Sequence, residues 1–174
     1  MTKFFMACAA SFMMTISSVG IAKADQTIWL VRHAEKAQDG TNAPDLTGKG
    51  QARATWFKNF FNDKNIAAVY STSYKRTYNT VKPTADAKGL VINTYDPTKL
   101  DDLVKAVEEG GQDTLIGGHS NVTPPTVNAF MGTNLPDLED HQYDRIYKVV
   151  ITDDGQKYME IMFSEPRTPD AKNK

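Results

Sequence analysis

Arginine and histidine side chains stand directly after three short apolar runs of this chain. Arg32 and His33 follow TIWLV, Arg76 comes shortly after IAAVY, and His119 follows TLIGG. A neutral imidazole can attack phosphorus, and an arginine offers a planar fork of N–H donors to the oxygens of a phosphoryl group. Phosphoryl transfer needs in-line attack and compensation of negative charge, and these residue types supply both without a metal. The three clusters therefore predict phosphoryl chemistry.

Apolar periodicity predicts the elements that carry these clusters. Strand-like runs alternate with helix-like segments, and a hairpin ends the pattern. The predicted strands are 27–31, 66–70, 90–93 and 114–117, the helices are 47–61, 73–88, 97–109 and 124–131, and the hairpin strands are 145–152 and 157–163. This order predicts an α/β fold, a three-layer sandwich with a largely parallel central sheet, helices on both faces and a C-terminal β-hairpin. Ligands bind beyond the carboxyl ends of such strands.

Local signals refine these boundaries. Thr47 has the character of a helix cap, and Gly48 and Gly50 are expected to serve the same helix start rather than a phosphate. Pro83 is expected to kink or shorten the second helix, and Gly89 to end it.

Four blocks along the chain also resemble a known family. LVRHAEK, LTGKGQARA, YSTSYKRTYNT and LIGGHSN, in this order, are similar to the histidine phosphatase superfamily, in its branch with phosphoglycerate mutase and small phosphohistidine phosphatases. The resemblance runs from about residue 27 to residue 151 and implies a phosphoglycerate mutase-like fold. It implies that His33 is the nucleophile that becomes transiently phosphorylated, and that Arg32, Arg76 and His119 bind the phosphate. It implies no cofactor and no metal.

The general acid is harder to place. Mutase-like members carry a glutamate shortly after the third strand, and here Asp96 is the first choice, with Glu35 and Asp39 as alternatives. The structural alternative for Asp96 is to cap the helix that begins near Pro97. A phosphoramidate such as phosphohistidine would need no strong acid.

Two positions depart from the family pattern. Ala34 stands where glycine is usual after the nucleophile, which is expected to crowd the backbone. Asp39 stands where many mutase-like members have an asparagine, and its carboxylate would repel a phosphate dianion unless it is protonated or turned outward. These departures keep open a second hypothesis, a catalytically impaired protein that binds phosphate or a phosphorylated ligand.

Three further features have more ordinary interpretations. His141 is expected to be a surface loop residue, with shaping of the substrate entrance as the alternative. Lys36 and Lys75 can raise the local positive potential. Metal binding by His33, His119 and an aspartate is the alternative to metal-free chemistry, but the chain lacks a close pair such as His-x-x-x-His.

The first 24 residues differ in composition from the rest. Lys3 precedes a charge-free run over residues 4–22, and Ala22-Lys23-Ala24 has the small-x-small form of a signal-peptidase site. We predict a signal peptide over 1–24, a catalytic domain over 25–165 and a flexible tail over 166–174, with an uncleaved anchor as the alternative to the signal peptide. Export through such a signal predicts a periplasmic protein.

The net charge and the cysteine content restrict the classes of partner and the cellular compartment that we expect. Removing residues 1–24 takes away Lys3, Lys23 and Cys8, which leaves 18 basic and 21 acidic residues, a net charge of about −3 and no cysteine. Non-specific electrostatic binding to nucleic acid or to an anionic bilayer needs an excess of basic residues. We therefore expect no nucleic-acid partner and no stable membrane association after cleavage. The absence of cysteine suits an oxidising compartment.

These observations combine into one functional hypothesis. We expect an exported, metal-independent phosphatase that hydrolyses a phosphomonoester or a phosphoramidate through a phosphohistidine intermediate. Its substrate would be a phosphorylated small molecule or a phosphorylated envelope glycan. A mutase is less favoured because the chain lacks the long insertions that close a mutase site.

Overall fold

The computed structural model describes residues 25–168. The predicted signal peptide and the last six residues of the predicted tail, 169–174, lie outside this range. Ten elements follow one another along the chain. They are β1 (Gln26–Arg32), α1 (Gly48–Phe60), β2 (Ala68–Ser71), α2 (Lys75–Lys88), β3 (Ile92–Thr94), α3 (Leu100–Gly110), β4 (Thr114–Gly118), α4 (Thr123–Met131), β5 (Arg145–Ile151) and β6 (Lys157–Phe163).

The six strands form one mixed sheet with the order β3-β2-β4-β1-β5-β6. Neighbours from β3 to β1 pair in parallel, whereas β5 pairs antiparallel with β1 and β6 pairs antiparallel with β5. Gly117 is the register partner of both Val31 in β1 and Ser71 in β2. The carboxyl ends of β1, β2 and β4 therefore meet at one edge, and the predicted fold class is confirmed.

The two faces of the sheet carry separate apolar clusters. Successive side chains of a strand point to opposite faces, so Ile28 and Leu30 of β1 face one side and Trp29 and Val31 the other. The first cluster includes residues of α3 and α4, and the second includes residues of α1 and α2. Helices thus cover both faces and hold the central strands rigidly in place.

The predicted helix signals at Thr47 and Gly89 are confirmed, whereas those at Pro83 and Pro97 are not. Helix α3 begins only at Leu100. Thr47 caps α1, since its hydroxyl oxygen accepts a hydrogen bond from the Gly50 N–H at 3.1 Å. Gly89 ends α2 in the left-handed conformation, with φ of 65°. Helix α2 nevertheless continues through Pro83 to Lys88, so the proline does not shorten it. Gly50 is required by a close approach, because a Cβ there would lie 2.2 Å from the Glu35 carbonyl oxygen.

Residues 166–168, the start of the predicted tail, make defined contacts. The Arg167 Nε–H and the Thr168 N–H both donate to the Asp144 carboxylate, at 3.0 and 2.9 Å. The Pro166 carbonyl oxygen accepts a hydrogen bond from Arg53 at 3.0 Å. Within residues 25–168 no helix is long and apolar enough to cross a bilayer.

Candidate active site

The strand ends at this sheet edge place two histidines side by side. His33 leaves β1 and its backbone N–H donates to the Gly118 carbonyl oxygen at 2.8 Å. His119 follows β4, and the two imidazole rings stand perpendicular with centroids 5.7 Å apart. Arg76, in the first turn of α2, brings its Nη2 within 3.4 Å of His119 Nδ1. The structure thus brings together all four residues predicted to bind or attack phosphate, Arg32 included through its place beside His33.

His33 presents one unprotonated nitrogen. Its Nδ1 lies 2.8 Å from the Ala34 carbonyl oxygen, an acceptor, so Nδ1 carries the proton and Nε2 carries the lone pair. Burial, assisted by the charges of Arg32 and Arg76, lowers the pKa of His33 to about 3. The ring is therefore neutral near pH 7, as a nucleophile must be.

His119 is held by α2 and by the segment after β2. Its Nε2 lies 2.8 Å from the Thr72 hydroxyl and 3.3 Å from the Thr77 hydroxyl, both fully buried. Burial, with Arg76 and then Arg32 as further causes, lowers the pKa of His119 to about 4. His119 is therefore a neutral, fixed hydrogen-bonding group.

Arg32 is anchored on one side and open on the other. Its Nη1 donates to the carbonyl oxygens of Glu139, Asp140 and Gln142 at 2.8, 3.2 and 3.0 Å. Its guanidinium carbon lies 4.2 Å from the centre of the Tyr143 ring. Its buried Nε has no hydrogen-bond partner among residues 25–168. The pair Nε and Nη2, which forms the bidentate fork of an arginine, is left open for an oxyanion.

Arg76, like Arg32, has a donor nitrogen that is unpaired among residues 25–168. Its Nε is buried without a partner, and its guanidinium carbon lies 4.5 Å from the centre of the Tyr74 ring. Over residues 25–168, neither Arg32 nor Arg76 forms an ion pair with a carboxylate. A buried arginine and a half-buried one, neither ion-paired with a carboxylate among the described residues, suit a phosphoryl group beside a neutral imidazole.

Ala34 causes no crowding, contrary to expectation. Its N–H donates to the Thr80 hydroxyl at 2.9 Å, and that hydroxyl donates to the Arg76 carbonyl oxygen at 2.7 Å. Its side chain packs with Leu46 and Ala54. Along the described chain every residue with positive φ is a glycine, so the turn after His33 needs no left-handed residue. Thr80 thereby ties the nucleophile turn to α2.

Asp96 is not the cap of helix α3, contrary to its structural alternative, because α3 begins at Leu100 after Lys99 and has no side-chain cap hydrogen bond. Its exposed carboxylate accepts hydrogen bonds from the Thr98 N–H at 2.9 Å and the Thr98 hydroxyl at 2.7 Å. These bonds hold the pKa of Asp96 below its usual value, which makes it a poorer proton donor. The hydrogen bonds found within residues 25–168 do not connect Asp96 to either histidine.

The two alternative acids are also engaged elsewhere. Glu35 receives both arms of the Arg53 fork, and although burial opposes ionisation, the Arg53 hydrogen bonds hold the pKa of Glu35 below its usual value. Asp39 is exposed, and its carboxylate accepts from the N–H and hydroxyl of Thr41 at 3.0 and 2.8 Å. Asp39 is therefore turned outward, which removes the expected repulsion.

Sequence reasoning missed four residues that shape the site. Thr72 and Thr77 hold His119, and Tyr74 and Tyr143 stack on the two arginines. The first three lie inside the block YSTSYKRTYNT, so their closeness to Arg76 was a usable signal. Tyr143 comes from a distant loop and carried no such signal. No cluster of His, Cys, Asp and Glu suited to a metal occurs in the described part of the chain.

Comparison with known proteins agrees with this geometry. Residues 28–101 match the family model described as histidine phosphatase superfamily (branch 1). No curated protein sequence matches the chain. The fold is similar to the protein histidine phosphatase SixA complexed with tungstate, with 17% identity, a TM-score of 0.64, and 79% of this chain and 97% of that chain covered.

Two other solved structures have the same fold. The phosphoserine phosphatase of Entamoeba histolytica in complex with 3-phosphoglyceric acid is 10% identical with a TM-score of 0.61, covering 80% of this chain and 97% of that one. A mycobacterial glucosyl-3-phosphoglycerate phosphatase is 8% identical with a TM-score of 0.61, covering 79% and 98%. At these identities the likeness establishes the fold. The match to the histidine phosphatase superfamily, branch 1, covers residues 28–101, and the four sequence blocks resemble the same family.

Proposed function

We propose that this chain is a metal-independent phosphatase that hydrolyses a phosphomonoester or phosphoramidate through a phosphohistidine formed on His33. The observation that carries the proposal is the pair of unoccupied arginine donor groups beside a neutral imidazole with a free Nε2. The family-model match over residues 28–101 and the likeness in fold to solved phosphatases support the general activity. The covalent step follows from the chemistry of these side chains.

The first step is phosphoryl transfer to the enzyme. The His33 Nε2 lone pair forms the N–P bond as the bond from phosphorus to the leaving atom breaks, and the leaving atom takes a proton from solvent. The Arg32 fork and Arg76 donate hydrogen bonds to the equatorial oxygens, where charge is spread in the transition state. Arg76 Nη2 can only donate and lies 3.4 Å from His119 Nδ1, so Nδ1 carries the lone pair and the proton lies on Nε2, toward the Thr72 hydroxyl. His119 would thereby hold Arg76 in place beside the phosphoryl group.

The second step returns His33 to its starting state. Water attacks the phosphohistidine in line, the N–P bond breaks, and inorganic phosphate leaves. The Nδ1–H bond to the Ala34 carbonyl keeps the ring in one orientation and one tautomer through both steps. Because the arginines are fixed by the 139–142 carbonyls and by stacking on tyrosine rings, little reorganisation is needed during the reaction.

The cellular setting is part of the same proposal. The uncharged run over residues 4–22 and the tripeptide Ala22-Lys23-Ala24 support export to a periplasm. The substrate would be a phosphorylated small molecule or a phosphorylated envelope glycan. Solved proteins of this fold include enzymes named for glucosyl-3-phosphoglycerate and for phosphoserine, which supports a phosphorylated small molecule.

One experiment tests the catalytic proposal. Purified protein in chelator is assayed with 4-nitrophenyl phosphate, and the reaction is quenched for mass spectrometry of acid-labile phosphate on the chain. We expect hydrolysis and phosphate on His33, and no turnover by His33→Ala. Turnover by His33→Ala near the wild-type rate would remove His33 as nucleophile.

The second hypothesis is a protein that binds phosphate without turning it over. The engagement of Asp96 with Thr98 favours it, because no carboxylate acid is thereby supplied to the pocket from that position. Saturable binding of inorganic phosphate, with no hydrolysis of aryl or alkyl esters and no trapped phosphohistidine, would establish it.

A further inference from the structure

A cavity of about 330 Å³ adjoins Arg32 on the side of the loop that Arg32 anchors. It is lined by Arg32, Lys36, Gln38, Asp140, His141 and Tyr143. The loop is fixed from both ends, because Arg32 Nη1 binds the carbonyl oxygens on either side of His141. The Gln142 side-chain oxygen also accepts the Glu139 N–H at 2.9 Å. The loop that carries His141 is therefore held in one position next to Arg32, the arginine proposed to bind phosphate.

His141 has one engaged and one unengaged ring nitrogen. Its Nδ1 lies 3.4 Å from a carboxylate oxygen of Glu139. Its Nε2 is buried and has no hydrogen-bond partner among residues 25–168. Buried polar atoms in proteins are nearly always hydrogen-bonded, so an exception requires a physical reason. An imidazole with a carboxylate near one nitrogen and the other nitrogen unpaired can serve as a proton-transfer group.

The reaction proposed above lacks such a group. An alkoxide leaving group needs a proton, yet Asp96, Glu35 and Asp39 are each engaged with other residues. Histidine is the side chain that most readily gives and takes protons near neutral pH. His141 is the one histidine outside the pair that faces the phosphate. Its loop is held by Arg32, and it lines the space next to the phosphate that Arg32 would bind.

We propose that His141 is a catalytic residue that protonates the leaving oxygen, and that the cavity beside Arg32 holds the alcohol part of an alkyl phosphomonoester. This inference rests on the proposed function. As His33 Nε2 forms its bond to phosphorus, the P–O bond breaks and the oxygen takes the Nε2 proton of the His141 imidazolium. Neutral His141 then takes a proton from the water that attacks the phosphohistidine, which restores the imidazolium. Polar groups of Gln38 and Asp140 would bind hydroxyls of that alcohol.

Leaving-group dependence separates proton donation from a structural role. A nitrophenolate leaves without a proton, whereas the alkoxide of glycerol 2-phosphate does not. For His141→Gln we expect kcat/KM to fall about 100-fold with glycerol 2-phosphate and less than about 3-fold with 4-nitrophenyl phosphate. Glu139→Gln should also lower kcat/KM with glycerol 2-phosphate, by a smaller factor. Thermal unfolding of each variant checks that it is folded.

Asp140→Asn is the matched control, since it changes a charge in the same cavity and on the same loop. We expect it to alter KM for glycerol 2-phosphate and leave the kcat ratio of the two substrates unchanged. Equal losses for both substrates in His141→Gln, or no loss for either, would overturn the role of His141. Wild-type protein that forms phosphohistidine from 4-nitrophenyl phosphate but does not hydrolyse glycerol 2-phosphate would refute this inference alone. Failure with both substrates would refute the proposed function as well.

Discussion

Two buried arginines of this chain, Arg53 and Arg32, have opposite surroundings. Arg53 is 0% exposed, and its Nε and Nη2 take both oxygens of Glu35 at 2.9 and 2.8 Å. Its Nη1 donates to the Ser164 hydroxyl and its Nη2 also donates to the Pro166 carbonyl oxygen. Arg32 is 3% exposed, yet among the described residues only its Nη1 has partners, and those are backbone carbonyls.

Burial is nearly the same for both arginines, so it does not separate an arginine with a structural ion pair from one that we propose to bind phosphate. The distinguishing feature is whether the bidentate fork is filled. A filled fork, as in Arg53, joins the loop after His33 to the segment after β6 and leaves nothing for a ligand. An open fork in a buried position has N–H donors without acceptors, and the oxygens of a phosphate can accept their hydrogen bonds.

The largest expected effect concerns the filled fork. Arg53→Ala removes both hydrogen bonds of the fork and, among the described residues, leaves the Glu35 carboxylate with only the exposed Lys49 ammonium, 3.5 Å away, so we expect a loss of about 3 kcal/mol in the free energy of unfolding. The double variant Glu35→Leu with Arg53→Met removes both charges and should recover much of that loss. Urea unfolding measures both. Equal instability of the single and double variants would show that the ion pair is not the reason for the loss.

For the second arginine of the phosphate pocket we expect a loss of activity. Arg76→Ala removes a preorganised donor to the transferring phosphoryl group, which should reduce transition-state stabilisation by about 3 kcal/mol. The measurement is kcat/KM with 4-nitrophenyl phosphate. An unchanged kcat/KM would place Arg76 outside the site.

Arg32→Lys isolates the open fork. Lysine keeps the charge and can donate to the 139–142 carbonyls, but it lacks the Nε and Nη2 pair, so kcat/KM should fall about 100-fold while the melting temperature changes little. Arg53→Lys is the matched control and should show the reverse, a loss of stability with little loss of kcat/KM. Two variants with the same pattern would contradict the distinction between the forks.

The neutral histidines predict a pH-dependent stability. A histidine in the unfolded chain binds a proton below about pH 6.5. In the folded protein, burial lowers the pKa of His33 to about 3 and that of His119 to about 4. The unfolded state therefore gains protons first as pH falls, and each ring should cost about 1 kcal/mol per pH unit between pH 6 and pH 5. Urea unfolding in phosphate-free buffer tests this. His33→Gln should remove about half of that slope.

The smallest effect is expected at Asp96. Because its carboxylate caps the turn at Thr98, Asp96→Asn should change kcat/KM by less than about twofold and leave the acid side of the pH profile unaltered. A large loss with alkyl phosphates, spared with 4-nitrophenyl phosphate, would return Asp96 to the role of general acid.

Some of this organisation was predictable from the sequence and some was not. Alternating apolar runs placed all ten elements, and parallel strands meeting at one edge brought Arg32, His33, Arg76 and His119 together. Helix α2 passes Pro83 because packing of Val81 and Ala85 against the sheet holds the helix on both sides of the proline. Periodicity alone cannot weigh that packing against the break.

Contacts over long sequence separations were beyond prediction. Tyr143 reaches Arg32 from a loop more than a hundred residues away, and the Arg53 ion pair with Glu35 gives no local pattern. Asp96 was ambiguous because a carboxylate before a helix suits both capping and catalysis. In three dimensions the carboxylate bonds to Thr98 and α3 begins only at Leu100, an arrangement that neither interpretation predicted.

The most direct test observes the arginine Nε–H groups by nuclear magnetic resonance while inorganic phosphate is added to the protein. The Nε–H signals of Arg32 and Arg76, unpaired in the structure, should shift with saturable dependence on phosphate, whereas the Arg53 signal, already bound to Glu35, should not move. Shifts at Arg32 and Arg76 alone would establish the open forks as the phosphate site. Unmoved Arg32 and Arg76 signals at saturating phosphate would contradict the proposed site.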